Sequence, residues 1–181
     1  MKSVPLVWQR SQWQQLNKLV DQDRLPHALM LAGPAEIGKR HFARSFAQYL
    51  LCHTPVEGEP CARCKACLLF EASTHPDFLF VEPDAEGKAI KVDQIRQLSE
   101  FSTRTAALGG YRVIIVNPAE AMNINAANAF LKTLEEPSQG LVLLLVVQQQ
   151  GLILPTIRSR CRILTSALPQ RQEDAHWSSS Q

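Results

Sequence analysis

The chain has 181 residues, 45% of them hydrophobic and 20% charged, with a formal net charge of +2. That suits one globular domain with a core of ordinary size, or a domain with a small appendage, and excludes an extended disordered chain. The charge leaves no basic surplus of the kind a dedicated nucleic-acid binder carries. No run reaches the roughly 18–20 apolar residues of a membrane span, and the Met1–Pro5 start lacks a signal peptide's apolar core. A cytoplasmic protein without membrane contact is expected.

Trp13, Leu16 and Val20 recur at helical spacing, and 28–32 form a short apolar run that reads as a strand. Gly33-Pro34-Ala35-Glu36-Ile37-Gly38-Lys39 then fills seven of the eight places of the phosphate-binding-loop pattern. Such a loop cradles phosphate on backbone N–H groups at the start of the next helix. The eighth place, which takes Ser or Thr to hold Mg²⁺, is Arg40. Gly33, Gly38 and Lys39 therefore form a degenerate loop, and ATP is not expected to bind productively. Phe42, Phe46, Tyr49 and Leu50 repeat every three or four residues, so a helix starts where phosphate would sit.

Four of the five cysteines follow within sixteen residues, as Cys52, Cys61, Cys64 and Cys67. Closely spaced Cys pairs let a short turn or helix start bring four thiolates to one Zn²⁺, and a four-thiolate shell leaves no place for a reactive water. A structural zinc site in an insertion spanning about 52–67 is expected, with disulfides or incidental thiols as the alternative. His53 and His75 are replacement ligands, but four Cys already fill the shell. The segment from His53 to Pro60 is polar and broken by Pro and Gly, so zinc is expected to order it.

Beyond the insertion, strands are expected at 78–81, 112–116 and 141–147, the last a run of Leu and Val that suits a strand buried on both faces of a parallel sheet. Val92, Ile95 and Leu98 mark one intervening helix. Met122, Ala126, Phe130 and Leu134 mark a second, stopped at Pro137. The alternation predicts an α/β fold, a parallel sheet with helices on both faces. Phosphate-loop ATPases end a neighbouring strand in acids that hold Mg²⁺ and orient water. Here Val113–Val116 runs into Asn117 and Pro118, and Glu120 lies too far along to stand in without rearrangement.

His27-Ala28-Leu29, the four-Cys insertion, Thr74-His75-Pro76-Asp77, the run Asn128–Pro137 and Thr156-Ile157-Arg158-Ser159-Arg160-Cys161 together resemble the delta-prime subunits of bacterial DNA polymerase III clamp loaders. The match spans roughly residues 7–165, read as one AAA+ module of the P-loop NTPase type over 1–165. The resemblance implies a role in DNA replication, loading the sliding clamp on primed DNA with the delta subunit and the clamp-loader ATPase subunits. It implies that Arg160 acts in trans as an arginine finger on a neighbour's ATP, with Arg158 a weaker candidate. A guanidinium is always charged and planar, and fingers of this kind are worth roughly 10³–10⁵ in rate. The alternative for Arg160 is a surface arginine paired with an acid. Val147 stands where active modules carry a polar residue that senses γ-phosphate. Residues 166–181 read as a polar tail, and the family's lid and collar are not expected in this chain.

Two other functions stay open at this stage. One is a weak ATPase built on Lys39 and an improvised metal site, and the other is a zinc-dependent DNA-binding module.

Overall fold

The protein is described by a computed structural model that covers residues 3–166. The polar tail expected after 165 lies, except for Ser166, outside the described residues. A short 3₁₀ turn at Val7–Gln9 leads into α1 (Arg10–Asp21), β1 (Ala28–Ala32), α2 (Lys39–Leu51) and α3 (Lys65–Glu71). Next come β2 (Phe78–Val81), α4 (Val92–Ser102), β3 (Arg112–Val116), α5 (Ile124–Glu135), β4 (Leu141–Val147), the one-turn α6 (Pro155–Arg158) and β5 (Arg162–Thr165).

The five strands form one sheet in the order β2-β3-β4-β1-β5, and every pairing is parallel. All seven residues of β4 and all five of β1 and of β3 are buried, so the centre of the sheet needs cover on both faces. Side-chain alternation along the strands divides that cover. Leu29, Leu31, Ile115, Leu144 and Val146 pack with Trp13, Phe42, Phe46 and Phe70 from α1–α3. Met30, Ile114, Leu143, Leu145 and Val147 pack with Ile95, Leu98, Phe130 and Leu134 from α4 and α5. Each such side chain contributes about 1.5–3 kcal/mol on burial, which is why two helical layers outweigh any local propensity. The expected strands and helices are thus present, with helices on both faces, except that Met122, expected on the second helix, lies before α5 at the end of a 3₁₀ turn.

Two devices finish the edges. Along the outer strand β2, the Arg44 guanidinium lies over Phe70, Phe78 and Phe80 at 5.3–5.9 Å from the ring centroids, and Arg40 lies over Phe80 at 4.8 Å. At the opposite end of the strands, buried Arg112 donates from Nη1 to the Ser102 carbonyl at 2.5 Å. From Nη2 it donates to Ser138 Oγ at 2.7 Å and to the Gln139 carbonyl at 3.2 Å. Asp77 caps the neighbouring loop by accepting from the N–H groups of Ala107 and Leu108 at 2.7 and 2.9 Å.

Arg112 thereby joins the end of α4, the start of β3 and the α5–β4 turn. Arg112→Met removes several charge-assisted hydrogen bonds at once and leaves the Ser102 carbonyl to Ser138 Oγ, so it is expected to cost about 2–4 kcal/mol of stability in urea unfolding, against less than about 0.5 kcal/mol for Arg104→Met on the exposed loop beside it.

Candidate functional site

The glycine loop sits where β1 ends and α2 begins, at the carboxyl ends of the central strands, the place where ligands enter open α/β sheets. Gly38 caps α2 with φ +84°, a left-handed conformation that suits glycine, and no side chain caps the first turn. Lys39 folds back on its own loop: Nζ donates to the Gly33 carbonyl at 2.7 Å and to the Pro34 carbonyl. Burial pulls its ammonium below the ordinary lysine value, opposed by the charge of Glu120. The loop's outer side is covered by the N-terminal segment. Trp8 Nε1 donates to the Ile37 carbonyl at 3.1 Å and Gln9 Nε2 to the Gly38 carbonyl at 2.9 Å. The Leu6 methyl would lie 2.5 Å from a Cβ added at Gly38.

Two clefts open beside the loop. One of about 490 Å³ is lined by Lys39, Arg40, His41, Arg44, Asn117 and Gln148. The other, about 940 Å³, runs past Asn117, Pro118 and Glu120 to Glu82. Arg40 therefore stands at the loop in place of a hydroxyl, and its Nη1 lies 3.7 Å from Glu82 Oε2. Asn117 and Pro118 do occupy the end of β3, as the sequence predicts. Glu120, expected to lie too far along, lines the larger cleft, and its Oε1 accepts from the Gln148 N–H at 2.9 Å. Its carboxylate is thus held on the backbone at the end of β4, while Val147 is fully buried in the core.

The four cysteines converge. Their sulfur atoms all lie within 4.8 Å of one another, and Cys52 and Cys64 are 3.9 Å apart. A tetrahedral shell with Zn–S near 2.3 Å requires S···S edges of about 3.8 Å, so the cluster fits a metal ion. Backbone N–H groups point at the sulfurs: Cys61 N to Cys52 Sγ, Arg63 N and Cys64 N to Cys61 Sγ, and Cys67 N to Cys64 Sγ, at 3.2–3.4 Å. Thr54 Oγ1 also donates to Cys61 Sγ, and these hydrogen bonds draw the Cys61 thiol down to about 5. Burial pushes Cys52 and Cys67 up. His75 stands outside the cluster, with its Nδ1 accepting from the Asp77 N–H at 3.0 Å.

The loop between the first two cysteines has order of its own. Val56 and Glu59 exchange backbone hydrogen bonds at 2.9 and 3.0 Å around Glu57 and Gly58, both at positive φ, as a tight hairpin turn requires. The Gly58 carbonyl accepts from Trp13 Nε1 and Asn17 Nδ2, each at 2.9 Å, so the hairpin docks on α1. This corrects the expectation that the segment depends on zinc alone for its order.

Arg160 lies in the turn between α6 and β5. Its Nη1 donates to the Thr156 carbonyl at 2.9 Å and its Nη2 pairs with Glu135 Oε1 at 3.1 Å, with 38% of the side chain exposed. In the isolated chain it is therefore an ion-paired surface arginine, some elements removed from the glycine loop of its own module. Sequence reasoning missed Glu135 as its partner and missed the docked Leu6–Gln9 segment, because both contacts join residues distant in the chain.

A family model described as DNA polymerase III, delta subunit, matches residues 8–169. The chain belongs to that family. It is 48% identical to the DNA polymerase III delta-prime subunit of Pseudomonas aeruginosa and 34% identical to that of Escherichia coli, each over 170 residues and 94% of this chain. It spans about half, 51%, of the length of these relatives. A gamma/tau subunit of Mycobacterium bovis is 32% identical over 80% of the chain and 25% of its own length. Among solved structures, a DNA polymerase III gamma subunit-related protein of Thermotoga maritima superposes with TM-score 0.61 and 24% identity, covering 90% of this chain and 48% of its own. The RuvB branch-migration motor of the same organism gives 0.56 at 14% identity, over 93% of this chain and 47% of its own. These likenesses establish an AAA+-like fold for this member of the delta family. No helix among the described residues is long and apolar enough to cross a membrane.

In this delta-family chain the docked hairpin gives a direct test. Gly58 has φ +74°, and an added Cβ would lie 2.5 Å from Asn17 Nδ2. Gly58→Ala is expected to cost about 1–2 kcal/mol and to speed hydrogen exchange at Glu57–Glu59 and Trp13, with the strands unaffected.

Proposed function

We propose that this chain is the AAA+ module, over about residues 1–165, of a delta-prime clamp-loader subunit that hydrolyses no ATP itself. In this reading it works with the delta subunit and the ATPase subunits to place the sliding clamp on primed DNA, and it offers Arg160 to ATP bound on a neighbouring subunit. The observation that carries the reading is the asymmetry between two sites of one module. The glycine loop keeps Gly33, Gly38 and Lys39, but Arg40, Asn117 and Pro118 replace the groups that would hold Mg²⁺, and Lys39 is spent on loop carbonyls. Arg160 meanwhile presents a partly exposed guanidinium on a surface turn, held among the described residues by a carbonyl and one solvent-accessible carboxylate. A charge that can leave such partners suits a phosphate in trans, where a planar cation neutralises oxygens that gain charge in the transition state.

The cysteine cluster supports a structural Zn²⁺ held by Cys52, Cys61, Cys64 and Cys67, which would fix the start of α3 against the end of α2. All four positions of the shell are protein thiolates, so the metal would supply cross-linking and no catalysis. A second reading, weak ATP hydrolysis by this chain, draws on Glu120, whose charge acts on Lys39. Against it stands the hydrogen bond that ties Glu120 to the Gln148 N–H.

The test is clamp- and primer-stimulated ATP turnover by motor subunits assembled with the complete subunit, using wild type and Arg160→Ala, with co-elution on gel filtration. Arg160→Ala is expected to assemble normally and to lower the stimulated rate at the adjoining site by roughly 10³ or more; equal stimulation by both proteins would exclude the finger. The chain alone is expected to show no Mg²⁺-dependent turnover.

For the metal, one zinc per chain is expected by elemental analysis. Cys64→Ser is expected to lower that ratio and to loosen residues 52–71 in hydrogen exchange, leaving the exchange of β1, β3 and β4 unchanged.

A further inference from the structure

The Arg160 side chain is already occupied in the isolated chain. Its Nη1 rests on the Thr156 carbonyl in the last turn of α6, and its Nη2 faces Glu135 Oε1 at the end of α5. Both partners of the ion pair are accessible, 38% and 45% exposed, and no second acid pairs with Arg160 among the described residues. Thr156 is itself engaged, since its carbonyl also accepts from Ser159 Oγ at 3.1 Å. The turn that carries Arg160 is thus hydrogen-bonded within itself, and the acid that faces the guanidinium among the described residues is Glu135.

We propose that Glu135 is a resting-state counter-ion that locks Arg160, and that a neighbour's polyphosphate must displace it before the arginine can act; this rests on the reading of Arg160 as a trans-acting finger. A carboxylate and a phosphate seek the same planar donors of one guanidinium. If Glu135 stayed in place, its negative charge would sit beside the incoming phosphates in a site drained of water, where like charges repel most strongly. Exchange is the arrangement that avoids this. The lock is also weak enough to open. An ion pair as exposed as this one is a small barrier, and a triphosphate with several charges outbids a single carboxylate. Glu135 thus sets how much anion is needed to recruit Arg160. A polyphosphate releases the arginine, while a singly charged anion such as chloride does so only through bulk screening.

Glu135 is then a positioning residue that acts through Arg160, and it does not touch the reacting atoms. The experiment is a double-mutant cycle in the assembled complex with the complete subunit: wild type, Glu135→Gln, Arg160→Ala and the double variant. Stimulated ATP turnover is measured against ATP concentration at low and high salt. Glu135→Gln keeps the size of the side chain and removes its charge. It is expected to lower the ATP concentration for half-maximal stimulation by about two- to five-fold, the range an exposed pair allows, with the maximal rate unchanged. The same substitution in the Arg160→Ala background is expected to have no effect, a result that a merely structural role for Glu135 would not give. High salt is expected to shrink the difference between wild type and Glu135→Gln.

The two readings fail differently. If Arg160→Ala stimulates as wild type does, the finger itself is wrong. If Arg160→Ala is inactive but Glu135→Gln matches wild type, the lock is wrong. If Glu135→Gln weakens stimulation, Glu135 holds the arginine in its working position and the proposal is overturned.

Discussion

The constraint on which the structure depends is the burial of β4 on both faces. Seven consecutive Leu and Val side chains with no exposed member cannot be satisfied by one layer of helices, so chain segments must cross from one face of the sheet to the other. Parallel pairing of β4 with β1 on one side and β3 on the other follows, and with it the alignment of every strand's carboxyl end at one rim. That rim holds the glycine loop after β1, Asn117 after β3 and Gln148 after β4. The loop is thus placed by the sheet, and its chemistry is decided by which side chains the rim supplies.

At the rim, Arg40 stands at the hydroxyl position of the loop and Asn117 and Pro118 follow β3, with Glu82 and Glu120 lining the larger cleft. Arg40 reaches toward Glu82 and the ring of Phe80, Lys39 turns inward to loop carbonyls, and Glu120 is tied to the end of β4. The Leu6–Gln9 segment covers the outer side of the same loop through Trp8 and Gln9. A glycine loop of phosphate-binding pattern is retained with Arg40, Asn117 and Pro118 around it, while Arg160 lies accessible in the turn between α6 and β5. The fold agrees with the family to which the chain belongs and with its similarity both to delta-prime subunits and to a gamma/tau subunit.

The sheet and its main helices were legible in the sequence because hydrophobic period decides them: the runs at Ala28–Ala32, Arg112–Val116 and Leu141–Val147 and the three-to-four spacing from Phe42 to Leu50 became the elements they predict. The cysteine cluster was legible too, because its four members are close in sequence and a single ion could span all of them. The hairpin at Glu57 and Gly58 was not, because its stability comes from Trp13 and Asn17, some forty residues upstream. The ion pair of Glu135 with Arg160 escaped for the same reason: nothing local to either residue marks its partner. Glu120 was judged by distance along the chain, but the turn after β3 folds it back into the cleft.

The central claim is that this module lends an arginine and keeps no working ATP site of its own. Its most direct test is the structure of the assembled clamp loader with Mg²⁺ and a non-hydrolysable ATP analogue. The account predicts the Arg160 guanidinium within hydrogen-bonding distance of a neighbour's γ-phosphate and no Mg²⁺-nucleotide on Lys39. A Mg²⁺-bound nucleotide in this chain's own loop, or Arg160 far from every phosphate, would contradict it.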